Sequence, residues 1–346
     1  MIIIYYKYYL GVIAVKKRIV YIIYFILACS LLGCNAYNAG KNDISKDKKI
    51  TEEINKTSGG AKKKIALVMK TLTNPFFIDM EKGARRAEKE LGINLIVKTG
   101  AQETSIGQQI SIVEELINLK VDAIVIAPGS STELIPVLKK AQDAKIQIVN
   151  VDDKLNTGFC EKIGLKDVPL VSVDNEEAAY QSAKYISNLI SSPTEAAILE
   201  GIRTAANSEN RKNGALRAFK ENKNITVTAV ETANWKIDEA FKITSRIIKK
   251  NPKIGAIFCA NDMMALGASE YVHSIGRKDI KIAGFDALEE VKKEIEKGNI
   301  MVTVDQQAEL QGYTGVKYAL RLIKGESVPN KTIIPIRLID KKKIKE

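Results

Sequence analysis

From Lys64 onward, short apolar runs alternate with longer stretches in which apolar residues recur at helical spacing. The apolar runs predict ten strands, at Ile65–Met69, Leu95–Lys98, Ala123–Ile126, Ile146–Val151, Leu170–Val173, Ala196–Leu199, Ile225–Val230, Ala256–Cys259, Ile280–Ala283 and Val302–Val304. Helices are predicted between them, for example at Asn175–Leu189, Asn207–Phe219 and Ile237–Lys249. Strands that alternate with helices favour parallel sheets built from right-handed crossovers. So many strands indicate an α/β protein with two parallel-sheet domains rather than one.

The segment Lys70–Phe77 joins the first predicted strand to the first predicted helix. Pro75 lies near the helix start, where its missing N–H costs nothing. Successive helix positions are about 100° apart, so Phe76 and Phe77 are not expected to face the core together. One of them should look out over the strand ends, where ligands bind in open α/β sheets. The alternative, that both are core or lid residues, stays open at this point.

Polar side chains follow five of the predicted strands. They are Asn74, Asp152-Asp153, Asn261-Asp262, Asp286 and Asp305-Gln306. A single carboxylate after a strand is often a helix N-cap, and Asp174 and Asp262 are expected to be caps. Carboxylates accept hydrogen bonds from hydroxyls, and amides both donate and accept. Converging on one crevice beside flat aromatic rings, these groups suit a small polyhydroxylated ligand.

The net charge of +12 comes from 53 Lys and Arg against 41 Asp and Glu. Four basic residues lie in the first 33 positions, which leaves 49 basic residues and a charge of +8 for the remainder. Much of that excess lies in Lys41–Lys64 and Lys341–Lys345. A nucleic-acid-binding protein would carry a basic face interleaved with recognition elements. The sequence shows none, so no nucleic-acid partner is expected.

Catalytic and metal-binding signatures are missing from the sequence. There is one histidine, His273, and no G-x-S-x-G, P-loop, H-E-x-x-H, C-x-x-C or dinucleotide fingerprint. Cys160 and Cys259 are too few for a tetrahedral metal site. The adjacent Asp152 and Asp153 cannot easily flank a glycosidic bond, as a glycosidase requires. No enzyme activity, cofactor or metal is predicted.

The N-terminus has the pattern of an export signal. Basic residues at 16–18 precede an apolar run, Ile19–Leu32, and then Gly33-Cys34. Leu31–Cys34 resembles a bacterial lipobox, which implies that Cys34 is lipidated and becomes the first mature residue. We therefore expect residues 1–33 to be a lipoprotein signal peptide and residues 34–63, poor in apolar groups, to be a flexible tether. A simple signal with a fortuitous cysteine, or an uncleaved anchor, is the alternative.

Several segments resemble periplasmic sugar-binding proteins of the ribose and galactose type. They are "LVMKTLTNPFF" (Leu67–Phe77), "GIRTAANSENRKNGALRAF" (Gly201–Phe219), "ETANWKIDEA" (Glu231–Ala240), "ANDMMALGA" (Ala260–Ala268) and "IAGFDALEE" (Ile282–Glu290). Position by position, the resemblance implies ligand contacts at Asn74, Phe76, Phe77, Asp152, Asn207, Arg211, Trp235, Asn261, Asp286 and Gln306. Asp153, Lys70 and Glu209 are added as candidates because they stand where relatives carry different residues: Arg or Lys for Asp153, a small hydroxyl for Lys70 and Arg for Glu209.

The same resemblance implies the type I periplasmic binding protein fold, in which two Rossmann-like domains are joined by a hinge of three chain crossings. We place the crossings near Asp174, Asp305 and Pro335. The N-terminal lobe is then 64–173 plus 306–334, and the C-terminal lobe is 174–305 plus 335–346.

The implied function is that of a lipid-anchored, exported solute-binding protein of an ABC importer. It would bind a monosaccharide or polyol without catalysis, act as a monomer and dock on a transporter permease. Because the pocket carries acidic groups where relatives have basic ones, an amino sugar is an alternative ligand. A sugar-sensing subunit for a chemoreceptor or sensor kinase is an alternative function. A LacI-type regulator would need an N-terminal helix-turn-helix in place of the export signal.

Overall fold

The computed structural model describes residues 62–345. The predicted signal peptide, Cys34 and almost all of the predicted tether lie outside the described residues. The strands of the described part are β1 Lys64–Met69, β2 Asn94–Thr99, β3 Ala123–Ile126, β4 Gln147–Val151, β5 Leu170–Ser172, β6 Thr194–Glu200, β7 Ile225–Thr232, β8 Ile254–Cys259, β9 Lys281–Ala283, β10 Val302–Asp305, β11 Lys331–Ile333 and β12 Arg337–Asp340.

The helices alternate with the strands along most of the chain. They are α1 Pro75–Leu91, α2 Ile106–Asn118, α3 Ile135–Asp143, α4 Thr157–Ile163, α5 Asn175–Ser187, α6 Ala206–Lys220, α7 Ile237–Lys250, α8 Asp262–Ser274, α9 Glu289–Lys297, α10 Ala308–Ile323 and α11 Lys341–Lys345.

The strands form two six-stranded sheets. Their orders are β11-β5-β4-β3-β1-β2 in one lobe and β12-β10-β9-β8-β6-β7 in the other. All neighbouring strands are parallel except β12, which pairs antiparallel with β10. The α/β architecture of two parallel-sheet domains is thereby confirmed.

The chain passes between the two sheets three times, between β5 and β6, between β10 and β11, and between β11 and β12. The predicted crossing points at Asp174, Asp305 and Pro335 lie in these stretches or at their ends. The exact residues at which one lobe gives way to the other stay a prediction.

Both faces of the sheets are covered, as β1 illustrates. Ile65, Leu67 and Met69 belong to the core cluster that contains α1 and α10 side chains, whereas Ala66 and Val68 belong to the cluster on the opposite face. A parallel strand buried on both faces needs a continuous apolar sequence. That requirement explains why the strands could be recognised as apolar runs. Polar side chains are then confined to the ends of the strands, and they collect at the carboxyl ends.

Candidate functional site

A cavity lies between the lobes at the carboxyl ends of strands from both sheets. It has an empty volume of about 230 Å³, part of it open to solvent. Its lining consists of Lys70, Asn74, Phe76, Phe77, Glu103, Asp152, Asn207, Arg211, Trp235, Asn261, Asp286 and Gln306. Three aromatic rings and nine polar or charged side chains form this lining, which suits a small polar molecule.

All but two of the candidate residues from the sequence line this cavity. Asp153 does not: it is fully buried behind the wall, where its carboxylate accepts hydrogen bonds from Ser131 and from the backbone of Asn207. Glu209 does not either, because it lies exposed on the outer side of α6 and pairs with Lys212.

Glu103 lines the cavity and was not among the sequence candidates. It follows β2, in the loop before α2, and its Oε1 accepts a hydrogen bond of 2.9 Å from Asn74 Nδ2. The other amide atom of Asn74, Oδ1, accepts from Phe76 N and caps α1. The sequence did carry a signal for Glu103, because this residue is polar and follows a predicted strand, as the other candidates do.

Phe76 and Phe77 are both buried and both reach the cavity wall. Their rings meet edge to face, with centroids 5.0 Å apart. One of them was expected to look out over the strand ends, and both line the cavity there. Helix α1 starts at Pro75, beside the cavity, so its first turn brings successive side chains to the same region.

Lys70 and Asp152 form an ion pair within the wall. The Nζ–Oδ2 distance is 2.9 Å and each side chain is 3% exposed. Burial by itself would lower the pKa of Lys70, but the negative charges of Asp152, Glu103 and Asp153 more than offset it and the pKa is raised. The ammonium is therefore charged. The opposite Asp152 oxygen accepts a hydrogen bond of 3.4 Å from Asn207 Nδ2 in the other lobe.

Arg211, on α6, is fixed by several partners of its buried guanidinium. Nε donates to Asn175 Oδ1 and Nη1 to the carbonyl of Ala260, both at 2.8 Å. Nη2 lies 3.4 Å from Gln306 Oε1. The guanidinium also lies over the Phe285 ring, 3.7 Å from its centroid. These contacts hold a positive charge at a defined position on the C-terminal-lobe wall.

Asp286 faces this cation. Its Oδ1 lies 3.9 Å from Arg211 Nη1 and accepts a hydrogen bond of 2.6 Å from Gln306 Nε2. Burial raises the pKa of Asp286 well above its usual value, against the opposing effect of the Arg211 charge. Burial likewise raises the pKa of Glu103. The protonation of these two cavity carboxyl groups therefore depends on their burial and on the neighbouring positive charges.

Trp235 supplies the flat face of the cavity and packs against Gly201. A Cβ atom at Gly201 would lie 2.0 Å from indole Cζ2, so only glycine leaves room for the ring. Two polar atoms on the cavity walls, Trp235 Nε1 and Asn207 Oδ1, are buried and have no hydrogen-bond partner in the described protein. Such orphan groups are rare in folded proteins and mark places where a ligand or water can pair.

Three cavity residues have a backbone that non-glycine residues rarely adopt. The φ angles are 62° at Asp152, 65° at Trp235 and 128° at Asp286. Conformations of this kind cost about 1–3 kcal/mol each and cluster at functional sites. Here they turn side chains at strand ends towards the gap between the lobes.

The structure corrects the expected role of Asp262. Asn261, whose Oδ1 accepts from Met264 N, is the N-cap of α8. Asp262 is the next residue and is fully buried, and it accepts hydrogen bonds from Thr303 and from Leu288 N. It therefore ties α8 to the neighbouring strand and loop. Asp174 is the N-cap of α5, as expected.

Residues 62–345 hold no group of His, Cys, Asp and Glu side chains arranged to bind a metal ion. Cys160 and Cys259 are free thiols. Within the same range, no helix combines the length and apolar character needed to cross a membrane.

Two parallel α/β lobes that enclose a buried polar cavity at their strand ends define a bilobal ligand-binding protein. The chain belongs to the periplasmic binding protein family, whose domain model matches residues 65–327.

Individual relatives agree with this assignment. The chain is 36% identical to a D-ribose/D-allose-binding protein of Pseudomonas aeruginosa, over 77% of this chain and 84% of the relative. It is 32% identical to the D-allose-binding periplasmic protein of Escherichia coli, over 82% and 92%. Among solved structures, an ABC transporter periplasmic solute-binding protein of Actinobacillus succinogenes with bound D-allose superposes with a TM-score of 0.78. It is 37% identical, and the match covers 82% of this chain and 99% of that one.

Proposed function

We propose that this protein is the extracytoplasmic solute-binding component of an ABC importer and that it binds a monosaccharide, with D-allose as first candidate, between its lobes. The observation that carries the proposal is the cavity itself. It has aromatic and polar walls, and two of its residues carry buried polar atoms without a partner in the described protein, the donor Trp235 Nε1 and the acceptor Asn207 Oδ1. A sugar hydroxyl can pair with either atom, because a hydroxyl both donates and accepts.

The charges of the cavity favour a neutral sugar over an amino sugar. Lys70 pairs with Asp152, and Arg211 faces Asp286, so two of the three lining carboxyl groups already have a cation. The third, Glu103, accepts from Asn74, and burial raises its pKa. A ligand ammonium would therefore meet little uncompensated negative charge. The similarity to D-allose binders supports the same choice.

The proposed ligand contacts are the residues that line the cavity, including Glu103 and excluding Asp153 and Glu209. Phe76, Phe77 and Trp235 would pack on the C–H faces of the ring. The amides and charged groups would pair with its hydroxyls. Binding occurs without catalysis, since the charged groups engage one another and the neighbouring amides instead of standing free to attack or protonate a substrate.

The cellular setting is proposed from the sequence. The basic and apolar residues before Cys34 support export, and the Leu31–Cys34 segment supports lipidation at Cys34. A diacylated cysteine anchors stably to a membrane, whereas a single acyl chain binds only marginally. The protein would act as a lipid-anchored monomer that delivers its sugar to a transporter permease.

A thermal-shift screen with D-allose, D-ribose, D-galactose, myo-inositol and D-glucosamine tests the ligand class. A ligand at 100 times its Kd stabilises the folded protein by about 2.7 kcal/mol. We expect D-allose to raise the Tm of the wild type and of Gln181→Ala, a control whose amide bonds only within α5. The shift should be lost in Gln306→Ala. If none of the neutral sugars or myo-inositol shifts the Tm, the proposal is overturned.

A further inference from the structure

Helix α6 begins without a capping side chain of its own. Its N-cap residue, Ala205, has no side-chain acceptor, yet the first N–H groups of a helix need partners. The same helix carries Asn207 and Arg211 to the cavity wall. Whatever satisfies the start of α6 therefore also positions two residues proposed to bind sugar.

The missing acceptors come from the opposite lobe. Ser131, between β3 and α3, accepts a hydrogen bond from Ala206 N, and Asp153, after β4, accepts one from Asn207 N. Both distances are 2.8 Å. Ser131 Oγ also donates to Asp153 Oδ2 at 3.1 Å, so the two side chains form one unit. The backbone N–H of Ser131 donates in turn to the carbonyl of Thr204.

The two capping side chains are buried but do not line the cavity. A carboxylate at a helix N-terminus is stabilised by the N–H groups and by the helix dipole. These bonds bridge the lobes, so they exist only while the lobes are together. Their effect on binding must then act through closure and not through contact with the ligand.

We propose that Ser131 and Asp153 form a closure latch, a pair of positioning residues that cap α6 across the cleft and stabilise the closed, ligand-holding form. The proposal rests on the proposed function for its effect on sugar affinity. When the lobes open, the first N–H groups of α6 lose these acceptors and bond to water instead. The latch therefore favours the closed form and adds to the affinity for any sugar that fits. It should act mainly on the rate of release, because opening breaks the latch.

Affinity and kinetics give the first test, in the full-length protein with D-allose and D-ribose. Asp153→Ala and Ser131→Ala should each raise Kd by about five- to thirty-fold, the usual cost of a lost helix cap. The factor should be the same for both sugars and should come from faster dissociation. Asp122→Ala is the matched control, because Asp122 accepts from Lys64 N and Lys63 Nζ within its own lobe. It should leave Kd unchanged.

Hydrogen exchange of the segment that contains Ala206 and Asn207 gives a second test. Saturating sugar should protect this segment in the wild type, because closure caps α6, and the protection should be smaller in both latch variants at equal saturation, although both mutations lie in the other lobe. Asp153→Asn, which keeps an acceptor and a donor in place, should show a smaller effect. A wild type that closes on another solute in place of both sugars would count against the proposed ligand alone, since exchange with that solute bound still decides the latch. Unchanged exchange, or a Kd factor that differs between the sugars, would overturn the latch.

Discussion

The Nζ atom of Lys70 lies 2.9 Å from Asp152 Oδ2, and both side chains are almost completely removed from solvent. The two residues follow different strands, β1 and β4, of the same sheet. Their pairing places an internal ion pair in the wall of the cavity. It orients Asp152, whose other oxygen accepts a hydrogen bond from the Asn207 amide. A preformed acceptor of this kind is what recognition of a neutral sugar requires.

Lys70→Met should destabilise the ligand-free protein and weaken sugar binding. Loss of the ammonium leaves the Asp152 carboxylate buried without a cation, which costs about 3–5 kcal/mol when one partner of a buried pair is removed. Urea unfolding at pH 7 measures the change. Lys82→Met is the control, because Lys82 and Asp79 form an exposed pair worth at most about 1 kcal/mol. Equal effects of the two substitutions would contradict the importance of the buried pair.

Gly201→Ala should impair binding by displacing Trp235. The new methyl group would overlap the indole ring, so the ring must leave its position on the cavity wall. We expect the affinity for D-allose to fall at least about tenfold, approaching the loss in Trp235→Ala, because an aromatic packing contact is lost. Isothermal titration calorimetry gives the affinity. Gly107→Ala serves as control, since a Cβ atom there meets nothing within 4 Å. Full affinity in Gly201→Ala would show that the ring is not a ligand contact.

Ten strands could be predicted because parallel strands buried on both faces are continuous apolar runs. The two that were missed, Lys331–Ile333 and Arg337–Asp340, are short, partly exposed and separated by Pro335. They lie at sheet edges, and β12 runs antiparallel to its neighbour. Pairing with a distant strand, and not local sequence, makes these segments strands. Sequence periodicity carries no signal for that.

The site residues that lie directly after strands or within the family motifs could be predicted from the sequence. Which of two adjacent carboxylates faces the ligand was not, because the left-handed backbone at Asp152 turns that side chain to the cavity and leaves Asp153 behind it. The capping of α6 by Asp153 also depends on the approach of the other lobe. The backbone conformation of one residue and the contacts between two lobes arise only when the chain folds, so the sequence pattern does not predict them.

Cys34→Ser tests the proposed anchor. If Cys34 is lipidated, the serine variant cannot be acylated there, and it should appear in the soluble extracytoplasmic fraction or as an uncut precursor. Fractionation followed by mass spectrometry of the N-terminal peptide measures this. Cys160→Ser is the control, since Cys160 lies within the folded domain, and it should remain membrane-bound. A serine variant that is still processed, acylated and membrane-bound would contradict the lipobox interpretation.

The pH dependence of stability should reveal the burial of Asp153. Burial raises the pKa of Asp153 to about 6, with the nearby Asp152 charge acting in the same direction, against the opposing effects of Lys70 and of the hydrogen bonds from Asn207 and Ser131. A carboxyl group whose pKa is higher in the folded protein than in the unfolded chain takes up a proton on folding. Ionised Asp153 therefore destabilises the folded protein by an amount that grows as the pH rises from about 4 to about 6.

Urea unfolding of the ligand-free protein between pH 4 and 7 measures this cost. Asp153→Asn, which cannot ionise, should gain stability relative to the wild type as the pH rises over this range, by up to about 3 kcal/mol. Glu103 and Asp286, whose pKa values are also raised, would add to the pH dependence of both proteins. Salt separates the two ligand classes: D-glucosamine would bind more weakly in added salt if it were the true ligand, because its ammonium needs ionised carboxylates, whereas the affinity for D-allose should change little. A stability difference between the two proteins that does not change with pH would contradict the burial of an ionised group at Asp153.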